Sequence, residues 1–246
     1  MSGRSVSPVA AIGLTYRLLL RQLVSRGRVL ALLAVGLAVA AVAWAVGSSS
    51  DVTEPLDATV GVIAGLGFTV VVPVVSLVFA TAALGDARED GTLVYLWLRP
   101  IDRWPVVVGA WLAALTVSLP LTLGPLALAA LLSGEAGTIF GATMVASIVG
   151  VVAYSAVFLL LGLLVKNPIV WGLGYVLIWE GVISAFGSSA ARLAISGYTR
   201  SIVTAMTDVD VDLGDQSLAA GVVVPIVVAV VALFVAARRL DRMDVA

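Results

Sequence analysis

The chain has 246 residues, of which 61% are hydrophobic and 12% charged, with a formal net charge of −1 and neither cysteine nor histidine. This composition excludes an ordinary soluble domain and indicates an integral membrane protein. The missing cysteine and histidine exclude disulfides, thiol nucleophiles and imidazole-based catalysis, so we predict no catalytic residue.

Residues 1–28 predict a cytoplasmic or interfacial amphipathic segment ahead of the membrane domain. Its apolar residues recur at helical spacing, whereas its arginines lie largely off that stripe. The apolar positions are Leu14, Leu18, Leu19 and Leu23, and the basic ones are Arg17, Arg21, Arg26 and Arg28. Such a helix lies in the headgroup plane of a membrane. A calmodulin-like target or a nucleic-acid arm is the alternative, and the hydrophobic span that follows disfavours both.

Residues 29–246 predict one all-α domain of six transmembrane helices with short loops. The predicted spans cover about 29–46, 59–84, 106–132, 139–165, 169–186 and 218–237. A helix rises about 1.5 Å per residue, so runs of this length suit a hydrocarbon core of about 30 Å. Pro73 predicts a kink in span two, and Pro120 and Pro125 predict a break in the outer half of span three, because proline cannot donate to the helix.

The stretch Gly85–Trp104, GDAREDGTLVYLWLRPIDRW, is a long polar interruption between spans two and three. Thr92 can cap a short helix over Leu93–Leu98, and Pro100 ends that helix. Asp102 is placed to cap the next helix.

The start of that short helix stays open, because Asp86 and Glu89 also have capping-box spacing. From the residues alone, a helix resting at the lipid interface explains the stretch about as well as a docking site, since tyrosine and tryptophan are favourable at that depth.

Glu180 is the one charged residue within a predicted span. It lies about 17 Å into span five, and an intramembrane carboxylate is costly enough to be a functional-site hypothesis by default. Two interpretations stay open. Glu180 is either a candidate for the transport pathway, acting on substrate or protons, or a structural hydrogen-bond acceptor between helices.

The connection from Ser188 to Ser217 is predicted on the outer side. An amphipathic helix over Ala190–Met206 is expected on the outer surface, with Leu193, Ile202 and Met206 facing the membrane. It is followed by an acidic stretch with aspartates at Asp208, Asp210, Asp212 and Asp215. An EF-hand requires glycine where Leu213 stands and glutamate where Ala219 stands, so a solvated loop is favoured over a calcium site and no metal site is predicted.

The basic residues predict the orientation. All but two of the 14 basic residues fall on the side of the N-terminus, and the exceptions are Arg192 and Arg200. The positive-inside rule then places both termini and the Gly85–Trp104 stretch in the cytoplasm, in a multi-pass protein of the plasma membrane.

The Gly85–Trp104 stretch resembles the loop between spans two and three of ABC-2 type transporter permeases. The resemblance rests on Arg88-Glu89-Asp90-Gly91-Thr92-Leu93 and on Leu98-Arg99-Pro100-Ile101-Asp102-Arg103-Trp104, which follow the pattern E-x-G-T-x-x-x-L-L-x-x-P-I-S-R. Asp102 stands where serine is usual, and Ala110 stands where many members carry lysine. The six-span plan places the loop where that family has it.

The resemblance implies a type V ABC transporter architecture, in which this loop forms a coupling helix on a separate ATPase subunit. The residues implied in coupling are Arg88, Glu89, Gly91, Thr92, Leu93, Leu96, Trp97, Arg99, Pro100 and Arg103. The implied partners are a P-loop ATPase that binds ATP and magnesium, a second permease copy or related permease, and membrane lipid, with no nucleic acid. The chain has no G-x-x-x-x-G-K-[ST] motif, so we expect no cofactor on it and no enzymatic activity.

Two other classes of function stay open. One is a non-transporting six-span scaffold or assembly protein, and the other is an ion-coupled secondary transporter that uses Glu180. The transported substrate is not readable, because the predicted spans consist mainly of valine, leucine, alanine and glycine.

Overall fold

The computed structural model describes residues 7–49, 52–89, 103–132, 136–182, 192–207, 209–211 and 215–242, without the side chains of residues 87–89, 136 and 138. The described ranges are helical and contain no strand. The α-helices are α1 Pro8–Leu23, α2 Arg26–Gly47, α3 Pro55–Val62, α4 Val72–Glu89, α5 Arg103–Leu131, α6 Ala136–Leu164, α7 Pro168–Gly174, α8 Ile195–Thr207 and α9 Leu218–Asp241. Two π-helical segments complete the list: π1, Ile63–Val71, joins α3 to α4, and π2, Tyr175–Glu180, continues α7.

Five helices of the described ranges are long and apolar enough to cross a membrane. They are Arg26–Gly47, Pro55–Asp86, Arg103–Leu131, Ile139–Leu164 and Leu218–Asp241. These helices fit the predicted spans one to four and six, and they confirm an all-α protein of membrane type. Predicted span five is represented only by the shorter apolar helix Pro168–Glu180. Residues 183–191 lie outside the described ranges, so the sixth span stays a prediction.

The helix α6 lies at the centre of the bundle and packs against α4, α5, α8 and α9. Close backbone contact explains part of this packing. A Cβ atom placed on Gly162 of α6 would lie 3.0 Å from the carbonyl oxygen of Thr81 on α4. The most apolar stretches of α2 and α9 are only 28% and 22% buried, so both helices turn most of their apolar surface outward, as lipid contact requires.

Four helix ends meet at one end of the bundle, which we call the basic end. The Arg28 Nη1 atom at the start of α2 lies 3.5 Å from Asp86 Oδ2 on α4. Gly85, next to Asp86, packs against Gly162 near the end of α6 and against Pro168, the first residue of α7. The starts of α2 and α7 and the ends of α4 and α6 therefore share one side, in agreement with the predicted alternation of spans.

Proline affects the spans differently from the prediction. The break predicted in span three is wrong, because α5 runs through both Pro120 and Pro125. Each proline removes only one main-chain donor, to the carbonyl four residues before it, and the rest of this 29-residue helix keeps its hydrogen bonds. In span two, π1 ends just before Pro73. A wider π turn accommodates the missing N–H and the bulk of the proline ring.

The N-terminal helix α1 is docked on the bundle. Its buried residues are Ala11, Thr15, Leu19 and Leu23, whereas Leu14 and Leu18 of the predicted stripe are 41% and 55% exposed. The stripe was therefore only partly right. The cause is a close crossing of α5, where a Cβ atom on Gly109 would lie 2.9 Å from the Ile12 carbonyl oxygen. The small and hydroxyl-bearing face of α1, rather than the leucine face, fits that crossing.

Candidate functional site

The predicted coupling stretch is described at its two ends. The helix α4 extends to Glu89, and α5 begins at Arg103. Asp86 therefore lies inside a helix rather than at the start of one, so its capping-box interpretation is wrong. Trp104 is 47% exposed and Pro105 is buried in the first turn of α5, where proline is tolerated.

The central part of the predicted site lies outside the described residues. This applies to Gly91, Thr92, Leu93, Leu96, Trp97, Arg99 and Pro100, and the side chains of Arg88 and Glu89 are likewise not described. Their assignment to coupling remains a prediction. The two described ends of the stretch belong to two long apolar helices, α4 and α5.

Glu180 lies at the end of π2 and is 1% exposed. Its Oε1 atom accepts hydrogen bonds from the Tyr175 hydroxyl at 2.8 Å and from the Ile195 N–H at 3.1 Å. Its Oε2 atom accepts from the Ser196 N–H at 3.1 Å. Ile195 and Ser196 are the first two residues of α8, so this carboxylate caps a helix N-terminus from another element of the chain.

The electrostatics of this arrangement explain how a carboxylate is accommodated in the bundle. The first N–H groups of a helix have no partner within the helix, and the helix dipole adds partial positive charge at that end. Both carboxylate oxygens receive donors, which offsets much of the desolvation cost. Glu180 is thus a hydrogen-bond acceptor between helical elements, and its place in a transport pathway stays a prediction.

The capped helix α8 corrects the prediction for the outer connection. It begins at Ile195, packs against α6, α9 and π1, and is buried along much of its length. Leu193, predicted to face the membrane, precedes the helix and is 69% exposed, whereas Ile202 is fully buried. Small residues allow this insertion, because a Cβ atom on Gly221 of α9 would lie 3.0 Å from the Tyr198 carbonyl oxygen.

A second polar contact joins α8 to span two. The Arg200 Nη2 atom donates to Thr69 Oγ1 of π1 over 2.6 Å. The helix α8 thus contacts both π-helical segments, π2 through Glu180 and π1 through Arg200. This pairing was not predicted from the sequence, since Arg200 was expected on an outer surface. Tyr175 was not predicted either, because a five-residue separation from Glu180 puts two side chains on one face only in a π-helix.

A polar cavity of about 270 Å³ opens beside Arg200. Its charged lining residues are Asp57, Arg200 and Asp210, and its floor includes Gly61 and Gly65. In the acidic stretch, Val209 and Val211 are buried while Asp210 is exposed, so the alternating sequence turns its described aspartate toward solvent. Within the described ranges, no group of three acidic side chains is placed to hold a metal ion. Asp208 and Asp212 lie outside them.

Comparison with known proteins adds no identification. No protein-family model matches the chain, and no curated protein matches it significantly.

Proposed function

We propose that the chain is the membrane-spanning permease subunit of an ABC-2 type ABC exporter. It would receive energy from a separate ATPase subunit through the Gly85–Trp104 stretch. The observation that carries this proposal is the coupling-loop sequence in that stretch, together with its position between α4 and α5. Because the two ends of the stretch belong to α4 and α5, a displacement of the loop would pass into two spans.

The packing of α4 and α5 supports the same proposal. Both helices contact α6 at the centre of the bundle, and α5 also carries the docked helix α1. Movement of the loop would therefore reach most of the spans through well-packed contacts. A six-span count, with span five over residues 169–186, and assembly with a second permease are parts of the proposal. The scaffold and the secondary transporter remain the alternatives to be tested against it.

The proposed orientation places the basic end and both termini in the cytoplasm. Single cysteines introduced at Thr53 and Gln216 should react with an impermeant maleimide in intact cells, whereas those at Asp90 and Asp244 should react only after the membrane is opened. The chain has no native cysteine, so each signal reports one position. Labelling of Asp90→Cys from outside would reverse the topology and exclude contact between the loop and a cytoplasmic ATPase.

The coupling stretch is tested by truncating its predicted apolar anchors. Leu96→Ala with Trp97→Ala should release the ATPase that co-purifies with the chain, because large apolar side chains dominate binding energy at an interface. An anchor worth about 2 kcal/mol corresponds to roughly thirtyfold in affinity for each residue. Co-purification and stimulated ATP hydrolysis measure the effect, and cysteine labelling verifies unchanged insertion.

Two exposed apolar residues near the end of α2, on the side of the bundle opposite to the basic end, serve as a matched control. Val42 and Trp44 are 44% and 53% exposed, so their replacement by alanine removes similar apolar surface without touching the loop. The control pair should leave ATPase binding unchanged. If the loop variant also retains the ATPase and its stimulated hydrolysis, the stretch is an interfacial helix and the proposed coupling is wrong.

A further inference from the structure

An apolar groove runs along the bundle between α6 and the helix formed by α7 and π2. Its volume is about 350 Å³, and its lining residues are Val157, Phe158, Leu160, Leu161, Leu164, Val165, Trp171 and Tyr175. Phe158 and Tyr175 form one end of the groove, with ring centroids 6.2 Å apart in an edge-to-face arrangement. The Tyr175 hydroxyl is turned to Glu180, so its ring rather than its polar atom is available to an occupant.

The length and direction of the groove match one leaflet of a bilayer. Its lining extends from Val157 on α6 to Val165 just after that helix, and the eight helical steps between them rise about 12 Å. One leaflet contributes about 15 Å of the hydrocarbon core. The groove starts at the basic end, at the turn that follows α6, and runs toward the middle of the bundle. An extended acyl chain has this length and this polarity.

The mouth of the groove carries the groups that suit a phospholipid headgroup. Lys166, the only lysine of the chain, directly follows Val165 and is exposed. Among the described side chains it has no ion-pair partner, and Asp86 nearby is paired with Arg28. Trp171, 66% exposed, lies about 4.5 Å along the helix from Pro168, at the level where indole rings favour the membrane interface.

We propose that this groove binds one anionic phospholipid, with an acyl chain along α6 and the phosphate beside Lys166. The apolar wall would contact the acyl chain, Trp171 the ester region and the Lys166 ammonium group the phosphate. These three groups follow each other along the groove in the same order as the parts of the lipid. A zwitterionic lipid fits the apolar wall equally well but brings a second cation close to Lys166, so the lysine selects for net negative charge. The site is independent of the proposed export function.

The test uses the full chain purified in mild detergent with equal amounts of phosphatidylglycerol and phosphatidylcholine that carry identical acyl chains. Native mass spectrometry should show one tightly held lipid, with phosphatidylglycerol preferred. Lys166→Gln should reduce that preference about fivefold, the equivalent of about 1 kcal/mol for one basic residue at the membrane surface. Arg239→Gln, which removes an exposed basic residue at the end of α9, should leave the preference unchanged.

A second pair of variants tests the apolar part of the site. Leu164→Trp fills the groove at an exposed position and should displace both lipids, whereas Val227→Trp on the outward face of α9, 53% exposed, should displace neither. Equal effects of Lys166→Gln and Arg239→Gln would overturn the proposal, since the preference would then belong to the general lipid annulus. A lipid that stays tightly bound to the Leu164→Trp variant would also overturn the proposal. A disulfide between two copies of the Trp171→Cys variant would do the same, because it would show that protein rather than lipid covers the groove.

Discussion

Replacing Glu180 by alanine is expected to destabilise the protein strongly. The substitution removes the acceptor of three donors, namely the partly buried Tyr175 hydroxyl and the first two N–H groups of α8, which are buried. Each unsatisfied buried group costs about 1–3 kcal/mol, so we expect a total of about 3 kcal/mol or more. The loss of monodisperse protein on heating in detergent measures the effect.

Two further variants distinguish the loss of the helix cap from the loss of a negative charge as the cause of lower stability. Glu180→Gln retains one carbonyl oxygen but turns an amide toward an N–H donor, so its loss should be smaller than that of alanine. Glu54→Ala removes an exposed carboxylate at the start of α3 that makes no capping hydrogen bond, and it should change stability little. Altered transport in a stable Glu180→Gln protein would show that ionisation matters, and would return Glu180 to the transport pathway.

Replacing Gly109 by leucine is expected to release α1 from the bundle. A Cβ atom at this position already comes within 2.9 Å of the Ile12 carbonyl oxygen and of Thr15 Cβ, and backbone cannot yield as a flexible side chain can. Overpacking costs about 1–3 kcal/mol, which corresponds to roughly tenfold or more in the population of undocked α1. A cysteine at Ala11, fully buried in the docked helix, should therefore react with a maleimide about ten times faster.

The matched control lies on the same helix. Gly124 has no atom within 4 Å of an added Cβ and is exposed, so Gly124→Leu makes the same chemical change without a clash. It should leave the reactivity of the cysteine at position 11 unchanged. Similar acceleration by both variants would mean that the substitution loosens α5 as a whole, and Gly109 would then not be the docking contact of α1.

The long apolar helices could be predicted from sequence because length and hydropathy decide them alone. Ala-, Val- and Leu-rich runs such as Leu218–Asp241 are too long for anything but a span, whatever their neighbours are. The buried faces could not be predicted in the same way. In α1 Thr15 is buried and Leu18 exposed, because the close crossing with Gly109 of α5 fits a small side chain. At that crossing side-chain size rather than hydrophobicity decides which residue is buried.

Only the features of the candidate site that depend on one unusual residue could be predicted from the sequence. The isolated charge at position 180 was enough to mark Glu180 as unusual, but its partners are main-chain N–H groups of Ile195 and Ser196, fifteen and sixteen residues away. The amino-acid sequence does not show which main-chain N–H groups donate such hydrogen bonds. Helix α8 was predicted as a surface helix for a related reason, since its small and hydroxyl-bearing residues look amphipathic although they are packed against α6 and α9.

The segment π1 changes the direction in which the later side chains of span two point around the helix axis. In a π-helix each hydrogen bond reaches one residue further than in an α-helix, so every π turn shifts the following side chains around the axis. Residues before Ile63 and after Val71 therefore do not share one helical wheel with a period of 3.6. Thr69, which meets Arg200, lies inside this shift, and Asp86 beyond it. A single helical-wheel projection from the start of α3 to the end of α4 would therefore place residues on the wrong face of the helix. The parts of the span before and after π1 need separate projections.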